Sequence, residues 1–293
     1  STRKESSAAS DVYKRQRYSK FPRLLFISQG SFSMLLKKKF ISLSVLAMIA
    51  MSGAANAEER LIRFGNDATY PPFEYTTPSG EIVGFDIDLA KAMCEKLQAK
   101  CTFQNQAWDG IIPALRAKKF DVIASSMSIT EERKKAVAFT QKIWTTPNPI
   151  FGKKGTKADP SKEGTKGLDL GVQQGTIQDK YATKYFTDAN IKRYKTFEDA
   201  VKDLVTGRVQ IVFADNGVTD EFLKSDSGKD FAILGEPLPS SADKEIFGEG
   251  TGFAVRKEDK QLLDDLNKAF EAIRADGTYD KIAKKYFTYD VYN

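Results

Sequence analysis

Residues 61–97 read LIRFGNDATYPPFEYTTPSGEIVGFDIDLAKAMCEKL, and three structural signals follow one another within them. Residues 61–65 are a short apolar run that predicts a strand. Residues 66–73, Asn-Asp-Ala-Thr-Tyr-Pro-Pro-Phe, form a polar and aromatic turn past the carboxyl end of that strand, where open α/β sheets place ligand crevices. Asp86 then stands where it can cap a helix to about residue 97, because Ile87, Leu89, Ala90, Met93, Cys94 and Leu97 recur on one helical face. Strand, crevice and helix in that order make a unit of an α/β fold.

The alternation continues along the chain. A strand at 102–104, a helix at 110–118, a strand at 122–124 and a Ser128-x-x-Glu131 capping box opening a short helix complete a first half. A second series places strands at 169–172, 191–194 and 210–213, with helices at 177–186, 197–206 and 217–224. Between the halves, Pro147 and Pro149 fix two φ angles and push the residues before them toward extended backbone. Segment 145–150 is therefore expected to cross between two lobes without folding into either. Another extended passage at 237–244 precedes a strand at 251–255 and a long helical tail at 258–287.

Composition closes off several chemistries. The 293 residues contain no His and two Cys, which excludes a Ser/His/Asp triad, a His-ligated zinc and a four-thiolate metal site held by this chain alone. No metal and no cofactor are expected. Of the 45 Lys and Arg, 10 lie in residues 1–57 against two acids, leaving 35 basic and 37 acidic residues from 58 onward. The formal charge of +6 therefore says nothing about the remainder, and no nucleic-acid partner is expected.

That basic N-terminal region has its own pattern. Met34 is followed by Lys37, Lys38 and Lys39, an apolar stretch at 40–51, and Ala55-Asn56-Ala57. This predicts a secretory signal peptide at 34–57 with cleavage after Ala57, since the apolar part falls short of the roughly 20 residues a spanning helix needs. Residues 1–33 read as upstream or non-native sequence. Export to a periplasmic, oxidising compartment predicts a disulfide between Cys94 and Cys101, contributing roughly 2.5 kcal/mol as a local staple in the chain-entropy model.

Four clusters carry more chemistry than packing requires: residues 66–73; Trp108-Asp109; Ser125-Ser126-Met127-Ser128-Ile129-Thr130-Glu131-Glu132-Arg133; and Gln173-Gln174-Gly175-Thr176-Ile177-Gln178. Taken singly, each is equally well explained as a turn or a capped helix start. Together, a guanidinium fork, a helix start rich in N–H groups and aromatic walls describe a pocket for an amino acid.

With Thr69-Tyr70-Pro71-Pro72-Phe73, Gly84-Phe85-Asp86-Ile87-Asp88-Leu89, Phe247-Gly248-Glu249-Gly250-Thr251-Gly252 and Asp276-Gly277-Thr278-Tyr279-Asp280-Lys281 added, residues 58–293 resemble the periplasmic solute-binding proteins of amino-acid ABC transporters, most nearly those for lysine/arginine/ornithine and for histidine. The resemblance implies a two-lobed type II periplasmic-binding-protein fold, each lobe a central sheet flanked by helices, with residues 58–145 and 244–293 in one lobe and 146–243 in the other. It implies a monomer that is no enzyme and that closes over a basic amino acid and delivers it to an inner-membrane permease. Arg133 would pair with the α-carboxylate, aided by Ser128 and by the helix start at Thr176 and Ile177. Asp215, with Ser126 and Ser128, would take the α-ammonium, and Ser125 belongs to the same hydroxyl cluster. Tyr70 and Trp108 would sandwich the side chain, with Asp67 near its far end. Trp108 stands where relatives often have Phe, and Ile177 where a Thr hydroxyl is expected. A dehydratase-like enzyme on the same scaffold and an amino-acid sensor docking on a receptor are the alternatives.

Overall fold

The computed structural model describes residues 60–292, so the expectations for 1–33 and for the signal peptide at 34–57 lie outside the described residues. Two five-stranded mixed sheets dominate. The first holds β1 (Leu61–Asn66), β5 (Lys100–Asn105), β6 (Val122–Ile123), β7 (Ala138–Phe139) and β13 (Ala254–Val255) in the order β5-β1-β6-β13-β7. The second holds β8 (Asn148–Lys153), β9 (Asp169–Gln173), β10 (Asn190–Tyr194), β11 (Ile211–Phe213) and β12 (Phe231–Leu238) in the order β10-β9-β11-β8-β12. A small sheet of β2 (Thr69–Tyr70), β3 (Glu74–Thr76) and β4 (Ile82–Val83) follows β1.

The two large sheets share one plan. In each, three neighbouring strands run parallel, the fourth pairs antiparallel on both its sides, and the fifth therefore runs with the first three. The fourth strand is β8 in one and β13 in the other, each of which arrives just after the chain has passed over from the other sheet. Segment 145–150 thus does not stay outside both halves as expected, because Asn148 already begins β8. A proline lacks a donor but keeps its carbonyl: Pro147 and Pro149 accept the N–H groups of Asn216 and Ala214. The register of β12 shifts between Leu234 and Leu238, opposite Pro149, where a ladder N–H is missing. Its own Gly235 and Pro237 disguise β12 in the sequence as a loop.

Helices cover the sheets: α1 (Phe85–Lys96), α2 (Ile111–Arg116) and α3 (Glu131–Lys134), then α4 (Ile177–Tyr185), α5 (Phe197–Val205), α6 (Asn216–Lys224) and α7 (Lys244–Phe247), and finally α8 (Lys260–Ala275) and α9 (Thr278–Tyr286). The tail expected as one helix is two, because Gly277 adopts φ +79° between them and turns the chain. Asp86 does not cap α1. The helix starts at Phe85 after Gly84, whose φ of +133° and whose absent Cβ, which would sit 2.2 Å from the Phe73 carbonyl oxygen, admit glycine alone. The N–H groups of Phe85 and Asp86 bond to the carbonyls of Pro72 and Phe73, so the loop after β1 supplies the cap and Asp86 is carried inward. The expected capping box at Ser128 is likewise displaced: Thr130 caps α3, accepting the Arg133 N–H at 3.3 Å.

Packing joins the sheets. Phe73 stacks on Trp144 at 4.2 Å, Tyr70 meets Phe197 edge-on at 5.5 Å, and the buried cluster runs unbroken from Phe64 and Phe85 to Phe151 and Val212. Tyr279 of α9 anchors the tail through its hydroxyl on the Ile143 carbonyl. Cys94 and Cys101 are disulfide-bonded, Cα atoms 6.3 Å apart, tying α1 to β5 as the sequence predicts.

Candidate ligand-binding cleft

All ten residues singled out in the sequence line one cleft, together with Glu74, Gln173 and Gln178. The reason is topological. Asp67 and Tyr70 follow β1, Trp108 follows β5, Ser125, Ser126, Ser128 and Arg133 follow β6, Thr176 and Ile177 follow β9, and Asp215 follows β11. Each lies past the carboxyl end of a parallel strand, where the sheet leaves room for a ligand. Residues distant in sequence are gathered because two sheets present those ends to one space.

Arg133 is the cleft's cation. Its guanidinium donates to the Ser128 carbonyl at 3.1 Å and lies over the Trp108 ring at 5.0 Å, so one face is held by an aromatic surface and one N–H by backbone. Burial lowers its pKa to about 10, opposed by the charges of Glu132 and Asp215, and it stays charged at neutral pH.

The acids are more numerous. Asp67 accepts from Thr69 at 3.0 Å and from the Gln173 amide at 2.8 Å, and burial holds its pKa above the usual range despite those bonds. Asp215 precedes α6 without capping it, which leaves its carboxylate free to accept the Tyr70 hydroxyl at 2.6 Å. Burial raises Asp215 to about 6, with Tyr70, Gln178 and Arg133 pulling the other way. Glu74 accepts from Ser126 at 3.0 Å and from Ser125 at 3.4 Å, and burial with the charge of Asp86 pushes its pKa well above a normal carboxyl. Asp86 lies behind the serines, bonded to the Ser126 N–H at 3.0 Å and to the Trp144 indole at 2.9 Å, and burial raises it to about 6.

At the α4 start, Thr176 caps the helix by accepting the Asp179 N–H, and Asp179 accepts the Gly175 N–H at 2.9 Å and an Arg193 bond at 2.8 Å. Gly175 takes φ +74° to make this turn. At the rim, Lys180 of α4 pairs with Glu132 of α3.

Of the other three lining residues, Gln173 and Gln178 belong to the fourth sequence cluster, which assigns them no role, and Glu74 lies outside all four clusters. Glu74 follows a proline-aromatic turn and resembles an ordinary surface acid until β3 folds it under the serines. The signal lay in its spacing, since an acid placed directly after Tyr70-Pro71-Pro72-Phe73 is carried back by the same turn that presents Tyr70.

Two sheets that open their strand ends onto one polar cleft define a binding protein that encloses a small ligand. The chain belongs to the bacterial extracellular solute-binding proteins, family 3, whose pattern matches residues 62–289. It is 42% identical over 258 residues to the L-arginine-binding protein of Pseudomonas aeruginosa, covering 87% of this chain and 98% of that one. It is 44% identical over 261 residues to the histidine-binding periplasmic protein of Escherichia coli K12, covering 88% and 99%. Among solved structures, a Salmonella typhimurium periplasmic binding protein of high arginine specificity matches with TM-score 0.73 and 34% identity, over 78% of this chain and all of that one. The architecture is that of the type II periplasmic binding proteins, and the chain is a solute-binding protein, not an enzyme.

Proposed function

We propose that this chain captures a basic L-amino acid, with lysine, arginine or ornithine ahead of histidine, and delivers it to an inner-membrane ABC permease. One observation carries the choice: Arg133 is the only cation among the residues lining the cleft, against Asp67, Glu74 and Asp215. A zwitterion contributes no net charge there, whereas a ligand with a cationic side chain offsets part of the acidic excess. Arg133 receives the α-carboxylate, with Ser128 and the helix start at Thr176 and Ile177. Asp215 with Ser126 and Ser128 receives the α-ammonium, and Ser125 supports that shelf. The side chain lies between Tyr70 and Trp108 and ends at Asp67. The arginine and histidine named for the relatives fit this chemistry.

In this account the chain is exported by its leader and cleaved after Ala57, and works as a periplasmic monomer. Residues 58–145 and 244–293 form one lobe and 146–243 the other, and the ligand favours their closure through contacts made to both. Thermal denaturation against the 20 amino acids and ornithine tests the ligand class. Selective binding at 100 times Kd stabilises by about 2.7 kcal/mol, so basic amino acids should raise the midpoint and acidic ones should not. A panel in which no basic amino acid moves the midpoint refutes the proposal.

A further inference from the structure

We infer that Glu74 is a positioning residue, which turns the hydroxyl hydrogens of Ser125 and Ser126 away from the cleft so that both serines offer only lone pairs to a ligand's ammonium group. This rests on the amino-acid reading above and adds to it what decides the ligand's orientation. Glu74 is 1% exposed, and its two oxygens accept from the two adjacent serines. Ser125 Oγ already accepts the Asp67 N–H at 2.8 Å, so its own hydrogen is directed to Glu74. Ser126 is held at φ +50° with its N–H on Asp86, which fixes where its hydroxyl stands.

A hydroxyl has one hydrogen and two lone pairs. Where a carboxylate takes the hydrogen, what remains is an acceptor. The serine shelf then attracts an ammonium and repels a carboxylate, which leaves Arg133 as the place for the carboxylate. If Glu74 carried a proton, that proton would go to a serine oxygen and the freed hydroxyl hydrogen would turn toward the ligand, opposing the ammonium. The groups facing Glu74 bring this reversal within reach: Asp86 from α1 and Asp67 and Tyr70 from the segment after β1, with Arg133 and Asp215 on the remaining lining. Burial and the nearby acids favour its protonated form, and an arriving ammonium favours the ionised one. To the extent that the free protein holds Glu74 protonated, binding converts its carboxyl to a carboxylate and passes that proton to the buffer, and affinity rises with pH across that titration.

The test is calorimetry of L-arginine binding to the full chain at pH 7 and 8, above the value of about 6 for Asp86 and Asp215, in phosphate and in Tris. The two buffers differ in ionisation heat, so a difference in observed heat counts protons released. The wild type should release a measurable fraction of a proton and bind more tightly at pH 8. Glu74→Gln imitates the protonated acid. It should bind arginine about tenfold more weakly, consistent with one reversed hydrogen bond to a charged group, and show neither proton release nor the pH slope. Argininic acid, in which a hydroxyl replaces the ammonium, should lose less than threefold on the same substitution, whereas damage to the site as a whole would weaken both ligands alike. Equal heats in the two buffers for the wild type, which requires no variant to fold, would overturn the inference while leaving the amino-acid reading intact. An unchanged pH slope in Glu74→Gln would do the same. Absence of any amino-acid binding would remove the reading and the role of Glu74 with it.

Discussion

The two walls of the cleft are held in different ways. On the first-sheet wall the polar groups bind one another: Ser125 takes the Asp67 N–H, Glu74 takes both serine hydroxyls, Asp86 holds the Ser126 backbone, and Arg133 rests on Ser128 and Trp108. On the second-sheet wall, Asp215 and Gln173 reach across the cleft, to the Tyr70 hydroxyl and the Asp67 carboxylate, while Thr176 and Gln178 bond within their own wall. One wall is thus preset by its own bonds, and the other takes part of its hold from across the cleft. A preset wall lowers the ordering cost of binding, so the tightest contacts belong there.

If that contrast is right, the costliest single change lies on the preset wall. Arg133→Ala removes the one lining cation and leaves a buried carboxylate unpaired, which should cost about 2 to 5 kcal/mol of arginine affinity by calorimetry. A loss below threefold would place the carboxylate elsewhere and undo the distinction between the walls.

The preset wall was also the more legible in sequence. Its groups sit in short continuous stretches, such as 125–133, where hydroxyls, a cap and an arginine adjoin, and the strand-end rule places such stretches at a crevice. What the sequence concealed were contacts whose partners are far apart. Asp86 looked like a helix cap because Asp often is one; only Gly84, threaded against the Phe73 carbonyl, shows that the helix begins earlier and turns Asp86 toward Ser126, 40 residues on. Glu74 was hidden, and Gln173 left without a role, for the same reason, since their partners lie 52 and 106 residues away. Strand β12 was missed because its Gly and Pro are read locally as turn residues, whereas its pairing with β8 is decided at a distance.

The second wall can be loosened by acid without substitution. Burial raises Asp215 to about 6, and an ammonium partner favours its ionised form, so affinity is fully present above that value and is lost as pH falls through it. Between pH 6 and 5 arginine affinity should drop by up to about tenfold, while Asp215→Asn binds weakly throughout and shows a flatter profile. A wild-type profile flat from pH 7 to 5 would mean that Asp215 takes no part in holding the ligand.

The smallest effect is expected where the walls meet at the rim. Lys180 and Glu132 join α4 to α3, and Lys180 holds the Glu132 carboxyl below its ordinary range, yet their side chains are 36% and 69% exposed. Exposed pairs contribute about 0.2 to 1 kcal/mol and are screened by salt. Lys180→Ala should therefore weaken arginine binding by less than about fivefold at low salt, and the difference from wild type should vanish at high salt. A loss above tenfold that persists in salt would mean that this pair, and not the buried bonds of Tyr70 and Gln173, sets the position of the second wall. The second wall would then be held from its edge and not from inside the cleft.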